Sequence, residues 1–248
     1  MAKLNAKLAS QWLHAGLHVC APALCHCCNN LLNYDETWLC NGCREWFQPP
    51  IDLKCLRCNA QVGPHTDTTD GCFLCKKDHF YFEKVVTLGF YKSQFKDAIL
   101  RIKHLQEEHL ARTLGTLLGT HFSNTQEFQP DFITCIPVHW WKRLIKGHNQ
   151  TEAIATGVAE VLKKPFVNSV LRKVRHTSEQ SGLLPTERRK NLRNAFTSIS
   201  KSFIEGKKIL LVDDVLTTGT TANQASKVLI SAGAKTVVVA VLARSFGR

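Results

Sequence analysis

The segment Ile209–Ala222, with the sequence ILLVDDVLTTGTTA, limits what this 248-residue chain can fold into. Its first four residues are a short apolar run that predicts a buried β-strand, and Asp213 and Asp214 follow at the expected C-terminal end of that strand. The residues Thr217–Thr221 then lead into a helix-compatible run from Ala222 to Ala232. A strand, a Gly/Thr turn and a helix N-terminus present free backbone N–H groups to an anion. The segment therefore predicts a phosphate site beside two carboxylates.

The chemistry of this segment fits a ribose 5-phosphate. Gly219 would let the backbone approach a phosphate closely, and adjacent carboxylates suit two ribose hydroxyls with a divalent cation nearby. No Gly-Lys-Ser/Thr closes the loop, so it is not a Walker A motif. One of the threonines could also simply cap the following helix, with the same geometry.

The same segment resembles the signature of type I phosphoribosyltransferases, which bind phosphoribosyl pyrophosphate (PRPP). The resemblance implies that Asp213 and Asp214 contact the ribose hydroxyls, directly or through Mg²⁺. It implies 5′-phosphate contacts by Thr217, Thr218, Gly219, Thr220 and Thr221.

Further apolar runs alternate with amphipathic stretches. Strands are predicted at 85–91, 132–138, 167–171 and 236–242, and helices at 95–105, 110–122 and 150–162. In the first of these helices the apolar face is Phe95, Ile99 and Ile102, and we expect Lys96, Arg101 and Lys103 to be more exposed. Apolar strands that alternate with helices predict an α/β fold with a parallel sheet covered on both faces.

The cysteines are concentrated near the N-terminus, where 10 of the 11 fall between Cys20 and Cys75. Eight of them form CxxC pairs: Cys25 and Cys28, Cys40 and Cys43, Cys55 and Cys58, and Cys72 and Cys75. Two such pairs complete a tetrahedral Cys₄ site, so the pattern predicts two structural zinc ions. Sequential pairing needs only short loops, but crossed pairing is also open. Cys20 and Cys27 are expected to be small buried residues.

The cysteine-rich region offers few core residues of its own. Trp38, Trp46, Phe47 and Leu53 are the expected ones, so this region should fold only with metal. The composition changes near Tyr81. We therefore predict a domain at 1–80, with an N-terminal helix and a double zinc ribbon, followed by the α/β domain at 81–248.

The first residues, MAKLNAKLASQWLHAGLHV, lack the uninterrupted apolar stretch of a signal peptide. Leu4, Leu8 and Trp12 recur at helical spacing instead, and no apolar run approaches the length of a transmembrane helix. We expect a cytoplasmic protein without membrane insertion, where clustered cysteines bind metal rather than form disulfides.

The net charge of +12 is unevenly distributed. Residues 1–80 carry equal numbers of basic and acidic side chains, so the whole excess lies in residues 81–248. This points to anionic partners such as PRPP, pyrophosphate or nucleic acid, although general solubility is an alternative. Trp140 and Trp141, flanked by Lys142 and Arg143, could stack on bases or serve as core anchors.

Two zinc ribbons followed by a PRPP-type domain resemble the ComF family. Three further stretches carry the resemblance: IPVHWWKR from Ile136, KGHNQ from Lys146, and LRKVRHTSEQSGLLPTERRKNLRNAF from Leu171. Lys146 and His148 depart from the Arg and Phe usual in the family. The resemblance implies a role in DNA uptake and transformation, with PRPP, Mg²⁺, incoming single-stranded DNA and other competence proteins as partners.

The resemblance also suggests further site residues. The pyrophosphate candidates are Pro137, Val138, His139, Arg172 and Lys173. Independently of the resemblance, the basic excess of residues 81–248 suggests as nucleic-acid candidates Lys142, Arg143, Lys146, Arg188, Arg189, Lys190 and Arg193. The long polar connection after Lys173 is expected to form an active-site flap.

Three functions remain open on the sequence. The first is a competence protein that binds PRPP and handles DNA without turnover. The second is an active phosphoribosyltransferase of nucleotide metabolism with an unidentified acceptor. In the third, the zinc ribbons are a protein docking module.

Overall fold

The computed structural model describes residues 23–48, 53–104, 107–138, 149–175, 192, 194–198 and 201–245. By its internal contacts the chain forms two compact units, Met1–Gln48 and Pro49–Arg248. The second pair of CxxC motifs therefore belongs to the same unit as the sheet. The predicted domain division between residues 80 and 81 stays a prediction, and the predicted N-terminal helix lies outside the described residues.

The first unit contains the first two CxxC motifs, and its described residues, 23–48, form one short helix, α1 (Asn41–Trp46). Phe47 is buried, as are Leu32 and Leu39. Trp38 and Trp46 are 51% and 45% exposed, so their expected place in the core is wrong, and Leu53 of the second unit is 52% exposed. Because few apolar side chains of residues 23–48 are buried, a metal held by the cysteines would supply much of the folding free energy of this part of the chain.

The second unit is built on a parallel sheet. Its described elements are β1 (Val85–Phe90), α2 (Ser93–His104), α3 (Glu108–Thr125), β2 (Phe132–Cys135), α4 (Gln150–Leu162), β3 (Leu171–Lys173), β4 (Phe196–Ser198), α5 (Lys201–Ile204), β5 (Lys208–Leu216), α6 (Thr220–Ser231) and β6 (Thr236–Arg244). The strand order is β1-β6-β5-β2, with every pair parallel. The predicted α/β class with a parallel sheet is confirmed.

Helices cover both faces of this sheet. Alternate residues of β5 and β6, such as Leu211 and Val239, pack with Ala222 and Leu229 of α6. The helices α3 and α4 contact the sheet and each other. A Cβ atom at Gly115 would meet the backbone carbonyl of Ile154, so glycine permits the close approach of these two helices.

One predicted strand is wrong. Just before the strand predicted at 167–171, Phe166 makes an isolated bridge with Ile133, and the chain then turns at residues 168–169, where Asn168 and Ser169 favour a turn. Regular strand structure begins only at Leu171, and β3 pairs antiparallel with β4 in a separate two-stranded sheet. None of the described helices combines the length and hydrophobicity needed to cross a bilayer.

Candidate functional site

The acidic pair, Asp213 and Asp214, lies within β5 rather than after it. The strand continues to Leu216 because β6 extends equally far, with Asp213 opposite Val241 and Leu216 opposite Arg244. The expectation that the strand ends before the pair is therefore wrong. Both carboxylates are buried, with 9% and 8% of their residue surface exposed.

Asp214 has a basic partner and an amide partner. The Lys103 Nζ atom is 3.1 Å from Asp214 Oδ2, and Gln150 Nε2 donates to the same oxygen at 3.3 Å. The other oxygen, Oδ1, accepts from the Val215 amide at 2.6 Å. These contacts fix the orientation of the Asp214 carboxylate at the carboxyl end of the sheet.

Asp213 is in a different electrostatic state. Burial, followed by the charge of Asp214, raises the pKa of Asp213 from 3.8 to about 8. The Asp214 amide, which donates to Asp213 Oδ1 at 2.9 Å, acts in the opposite direction, as do the charges of Lys103 and Lys173. Burial and the neighbouring charge therefore favour the neutral form of Asp213, and a bound cation would favour its carboxylate.

Lys103 is half-buried and, as predicted, more exposed than the apolar face of its helix, but its ion pair with Asp214 was not predicted. Burial acts to lower its pKa, but the Asp214 carboxylate more than offsets this and the pKa is raised. The periodicity contained the signal, because Lys103 follows Ile99 by four positions and shares its helix face. The buried face of α2 therefore includes part of the Lys103 side chain as well as Phe95, Ile99 and Ile102.

The start of α4 positions Gln150 over the acidic pair. Asn149 is the N-cap of the helix, and its side chain accepts from the Thr151 amide at 3.2 Å. The Thr151 hydroxyl donates to the Ile136 carbonyl at 2.9 Å, and the Ile136 amide donates to Val212 in β5. This chain of hydrogen bonds connects Asn149, near the end of the motif KGHNQ, to the strand that carries the carboxylates.

The phosphate loop, Thr217–Thr221, joins β5 to α6. Gly219 is the N-cap of α6 with φ of 77°, a left-handed conformation that favours glycine. The hydroxyls of Thr218 and Thr220 are 2.8 Å apart, so they share one hydrogen bond. Since the first amides of a helix have no intrahelical acceptor, the N-terminus of α6 offers donors to an anion beside the acidic pair.

Some of the other predicted PRPP contacts lie at the same carboxyl end of the sheet. Pro137 and Val138 are half-buried and follow β2, whose Cys135 lies opposite Val212. Lys173 acts electrostatically on Asp213, whereas Arg172 is exposed and adjacent strand residues face opposite ways. The remaining candidates lie outside the described residues: His139, Lys142, Arg143, Lys146, Arg188, Arg189, Lys190 and Arg193, as does most of the expected flap.

The cysteines form two groups, each with sequential pairing. The first cluster is Cys25, Cys28, Cys40 and Cys43, and the second cluster is Cys55, Cys58, Cys72 and Cys75. Sulfur–sulfur separations of 3.7 Å for Cys28–Cys40, 3.7 Å for Cys55–Cys75 and 3.6 Å for Cys58–Cys72 match the geometry of a metal site. A zinc tetrahedron with bonds of about 2.3 Å has edges of about 3.8 Å. Both clusters could therefore hold structural zinc.

The protonation chemistry of the thiols agrees with metal binding. Burial acts to raise the pKa of Cys25 and Cys55, but backbone N–H groups outweigh it and lower both values to about 7. Burial and neighbouring sulfurs instead raise the pKa of Cys58 to about 11, although the Arg244 charge opposes them. Four sulfurs this close cannot all be thiolates unless a cation lies between them.

Comparisons with known proteins agree with this architecture. Residues 151–246 match the phosphoribosyl transferase domain. Together with the parallel sheet, this defines a protein with a phosphoribosyltransferase-type domain. The glutamine PRPP amidotransferase from B. subtilis aligns with 53% of this chain and 25% of its own, at 24% identity and a TM-score of 0.37.

The relatives specify the family. The chain is 30% identical over 225 residues to Competence protein F of Haemophilus influenzae, covering 89% of this chain and 96% of that protein. It is 27% identical to DNA utilization protein YhgH of Escherichia coli O157:H7, covering 90% and 98%. Competence protein ComFC of Streptococcus pneumoniae is 26% identical, covering 84% and 88%. The chain belongs to the ComF family.

Proposed function

We propose that this protein acts in natural competence and binds PRPP at the acidic pair and the phosphate loop. The observation that carries the proposal is the juxtaposition of two buried carboxylates with a Gly/Thr loop at the start of α6. Relatives named competence proteins and a DNA utilization protein support the role in DNA uptake.

In this proposal the ribose hydroxyls donate to Asp213 and Asp214, and the 5′-phosphate accepts from amides and hydroxyls of the phosphate loop. Lys103 keeps the Asp214 carboxylate oriented between ligand-binding events. Lys173 supplies positive charge on the pyrophosphate side, because its charge already acts on Asp213. These contacts also favour the build-up of positive charge on the ribose if pyrophosphate leaves.

Mg²⁺ fits this site as an ion that arrives with PRPP. Carboxylate oxygens are suitable ligands, and Mg²⁺ usually binds through one or two of them together with substrate phosphates. Both Asp214 oxygens already accept hydrogen bonds, whereas Asp213 Oδ2 accepts none from the described residues. The acidic pair therefore offers one free oxygen directly, and the pyrophosphate must supply most of the remaining ligands.

Calorimetric titration with PRPP and Mg²⁺ tests the proposal. The double variant Asp213→Ala and Asp214→Ala removes charge-assisted hydrogen bonds worth about 1.5–3 kcal/mol each, so affinity should fall by roughly two orders of magnitude or more. Asp97→Ala, at an exposed position of α2, is the matched control and should bind like wild type. Equal affinity in the double variant would rule out this site.

The same samples separate binding from turnover. Pyrophosphate release is followed in the presence of nucleobases or single-stranded DNA as acceptors. Binding without release supports the competence protein that binds without turnover. Release that depends on one acceptor supports instead an active phosphoribosyltransferase and identifies its substrate.

We also propose that single-stranded DNA is a partner, supported by the +12 charge excess beyond residue 80. Binding should show little sequence preference and should weaken with salt, at roughly 0.7 counterions per phosphate contact. The triple variant Arg188→Glu, Arg189→Glu and Lys190→Glu should lose affinity with its zinc content unchanged. The control variant replaces Lys207, Lys208 and Lys235 with Glu; these are exposed residues at the amino ends of β5 and β6. Filter binding without affinity at low salt would remove this partner.

A further inference from the structure

The second cluster and the phosphate loop share a compact unit, and one buried arginine contacts both. Arg244, the last residue of β6, is 5% exposed. Its Nε atom donates to the Cys58 carbonyl at 3.3 Å, and its Nη1 atom donates to the Leu216 carbonyl at 2.9 Å and contacts the Thr217 carbonyl. A single guanidinium therefore connects a metal-ligand residue to the residues that open the phosphate loop.

A second connection lies at the other end of the loop. Asn223, in the first turn of α6, donates from Nδ2 to the His79 carbonyl at 2.9 Å. Its Oδ1 accepts from the Tyr81 amide at 2.7 Å. Between these two partners, Phe80 stacks on Phe82 with ring centroids 4.5 Å apart. Both rings lie beside Gly219, where a Cβ atom would be 3.6 Å from Phe80 and 3.7 Å from Phe82.

Arg57, which lies between Cys55 and Cys58 of the second cluster, forms a third connection. Its guanidinium donates to the Cys75 carbonyl at 3.1 Å and to the Asp78 carbonyl at 3.0 Å. It also lies over the Phe80 ring, 5.0 Å from the centroid. The segment that contacts Gly219 and Asn223 is thus held against the second cluster itself.

The negative charge of a zinc-loaded cluster would make these contacts depend on the metal. Four thiolates around one Zn²⁺ carry a formal charge of about −2. Arg57 and Arg244 both contact backbone carbonyls of this cluster, and neither forms an ion pair with a carboxylate in the described part of the chain. Arg244 is buried, and a buried guanidinium without counter-charge is unfavourable, so a zinc-loaded cluster would be the anion that offsets it. Arg57 is half-buried and would gain less from the same charge.

We propose that metal in the second cluster sets the conformation of the phosphate loop, with Arg244 and Asn223 as positioning residues. Loss of this metal would free the segment 76–82 and leave Arg244 without its counter-charge, so the loop amides would no longer converge on one anion. The proposal rests on the proposed function only for the identity of the ligand, PRPP.

Hydrogen–deuterium exchange of the ligand-free full chain tests the metal dependence directly. Cys72→Ser should lose one zinc and raise exchange in peptides covering 214–222 about tenfold more than in peptides of α3 and α4. Cys40→Ser, which removes a ligand of the first cluster, should lose one zinc and leave loop exchange as in wild type. Equal loop exchange in both variants would overturn the proposal.

The positioning residues are tested with both zinc sites intact. Asn223→Ala and Arg244→Lys should each retain two zinc ions, raise loop exchange severalfold and weaken PRPP binding by about tenfold. Gln224→Ala is the control, since Gln224 is the next residue of α6 and its side chain forms no hydrogen bond with a described residue. Loop exchange at the wild-type level in both variants would contradict their role. If wild type fails to bind PRPP, the proposed function fails, whereas the zinc-dependent loop exchange is still measured.

Discussion

The two Cys₄ clusters have nearly the same local structure and very different surroundings. In both, the residue after the second cysteine is an asparagine in the left-handed region, with φ of 59° at Asn29 and 56° at Asn59. In both, the first cysteine amide bonds a carbonyl five residues on at 2.8 Å. All four ligands of the second cluster are buried, whereas Cys28 and Cys40 of the first are partly exposed.

Ligand spacing therefore determines that a metal site forms, but it does not determine the role of that site. The first cluster organises a small unit with exposed tryptophans, while the second contacts a sheet and a phosphate loop through Arg57, Arg244 and Asn223. Equal CxxC motifs therefore predict equal metal content and unequal consequences when a metal is lost.

The largest difference should come from removing one ligand of each cluster. Wild type should contain two zinc ions, and Cys40→Ser and Cys72→Ser one each, by elemental analysis. Cys72→Ser should lower the unfolding midpoint of the sheet unit by many degrees, because metal binding contributes about 10 kcal/mol to folding in small zinc sites. Cys40→Ser should leave that midpoint within a few degrees. A wild-type protein with one zinc or none would refute the count.

The acidic pair gives a second difference, one of pH dependence. Because the pKa of Asp213 is raised from 3.8 to about 8, the folded unit keeps a proton that the unfolded chain releases. Stability of the sheet unit should therefore fall as pH rises from about 4 to about 8, by at most about 1.4 kcal/mol per pH unit. Asp213→Asn should flatten this slope in denaturant unfolding, and Cys40→Ser should retain it. An unchanged slope in Asp213→Asn would show that other groups cause it.

Local patterns predicted most of the fold and the centre of the site. The apolar run before Asp213, the Gly/Thr loop and the CxxC pairs each specify nearby structure, and β5, α6 and the Cys₄ groups follow them. The same patterns did not indicate the ion pair of Lys103 and ended β5 too early, since both features depend on partners distant in sequence. The ion pair of Lys103 could be predicted only with the position of Asp214 known, and the length of β5 only with the length of β6 known.

The contacts between the second cluster and the phosphate loop could not be predicted from the sequence either, because they join side chains to backbone groups of distant residues. Asn223 bonds backbone groups of His79 and Tyr81, which impose no requirement on the identity of those two residues. Among the described residues the Arg244 side chain likewise bonds only carbonyls, and it ends an apolar strand where a charged residue is ordinarily exposed.

The smallest expected difference compares one aromatic residue from each cluster. Phe80 packs against both the second cluster and the core of the sheet, whereas Trp38, next to the first cluster, is 51% exposed. Phe80→Ala should lower the free energy of unfolding by about 1–3 kcal/mol, less than a fully buried phenylalanine because its ring is only half-buried. Trp38→Ala should cost less than about 1 kcal/mol.

Urea unfolding of both variants measures this difference, with zinc content confirming that each cluster is still loaded. Phe80 also lies beside Gly219, so its removal should raise exchange in the phosphate loop as well as lower stability. Trp38→Ala lies in the other compact unit and should change neither the loop nor the midpoint of the sheet unit. Equal losses in the two variants would mean that Phe80 contributes only its own burial, and the unequal surroundings of the two clusters would then have no energetic consequence at this position.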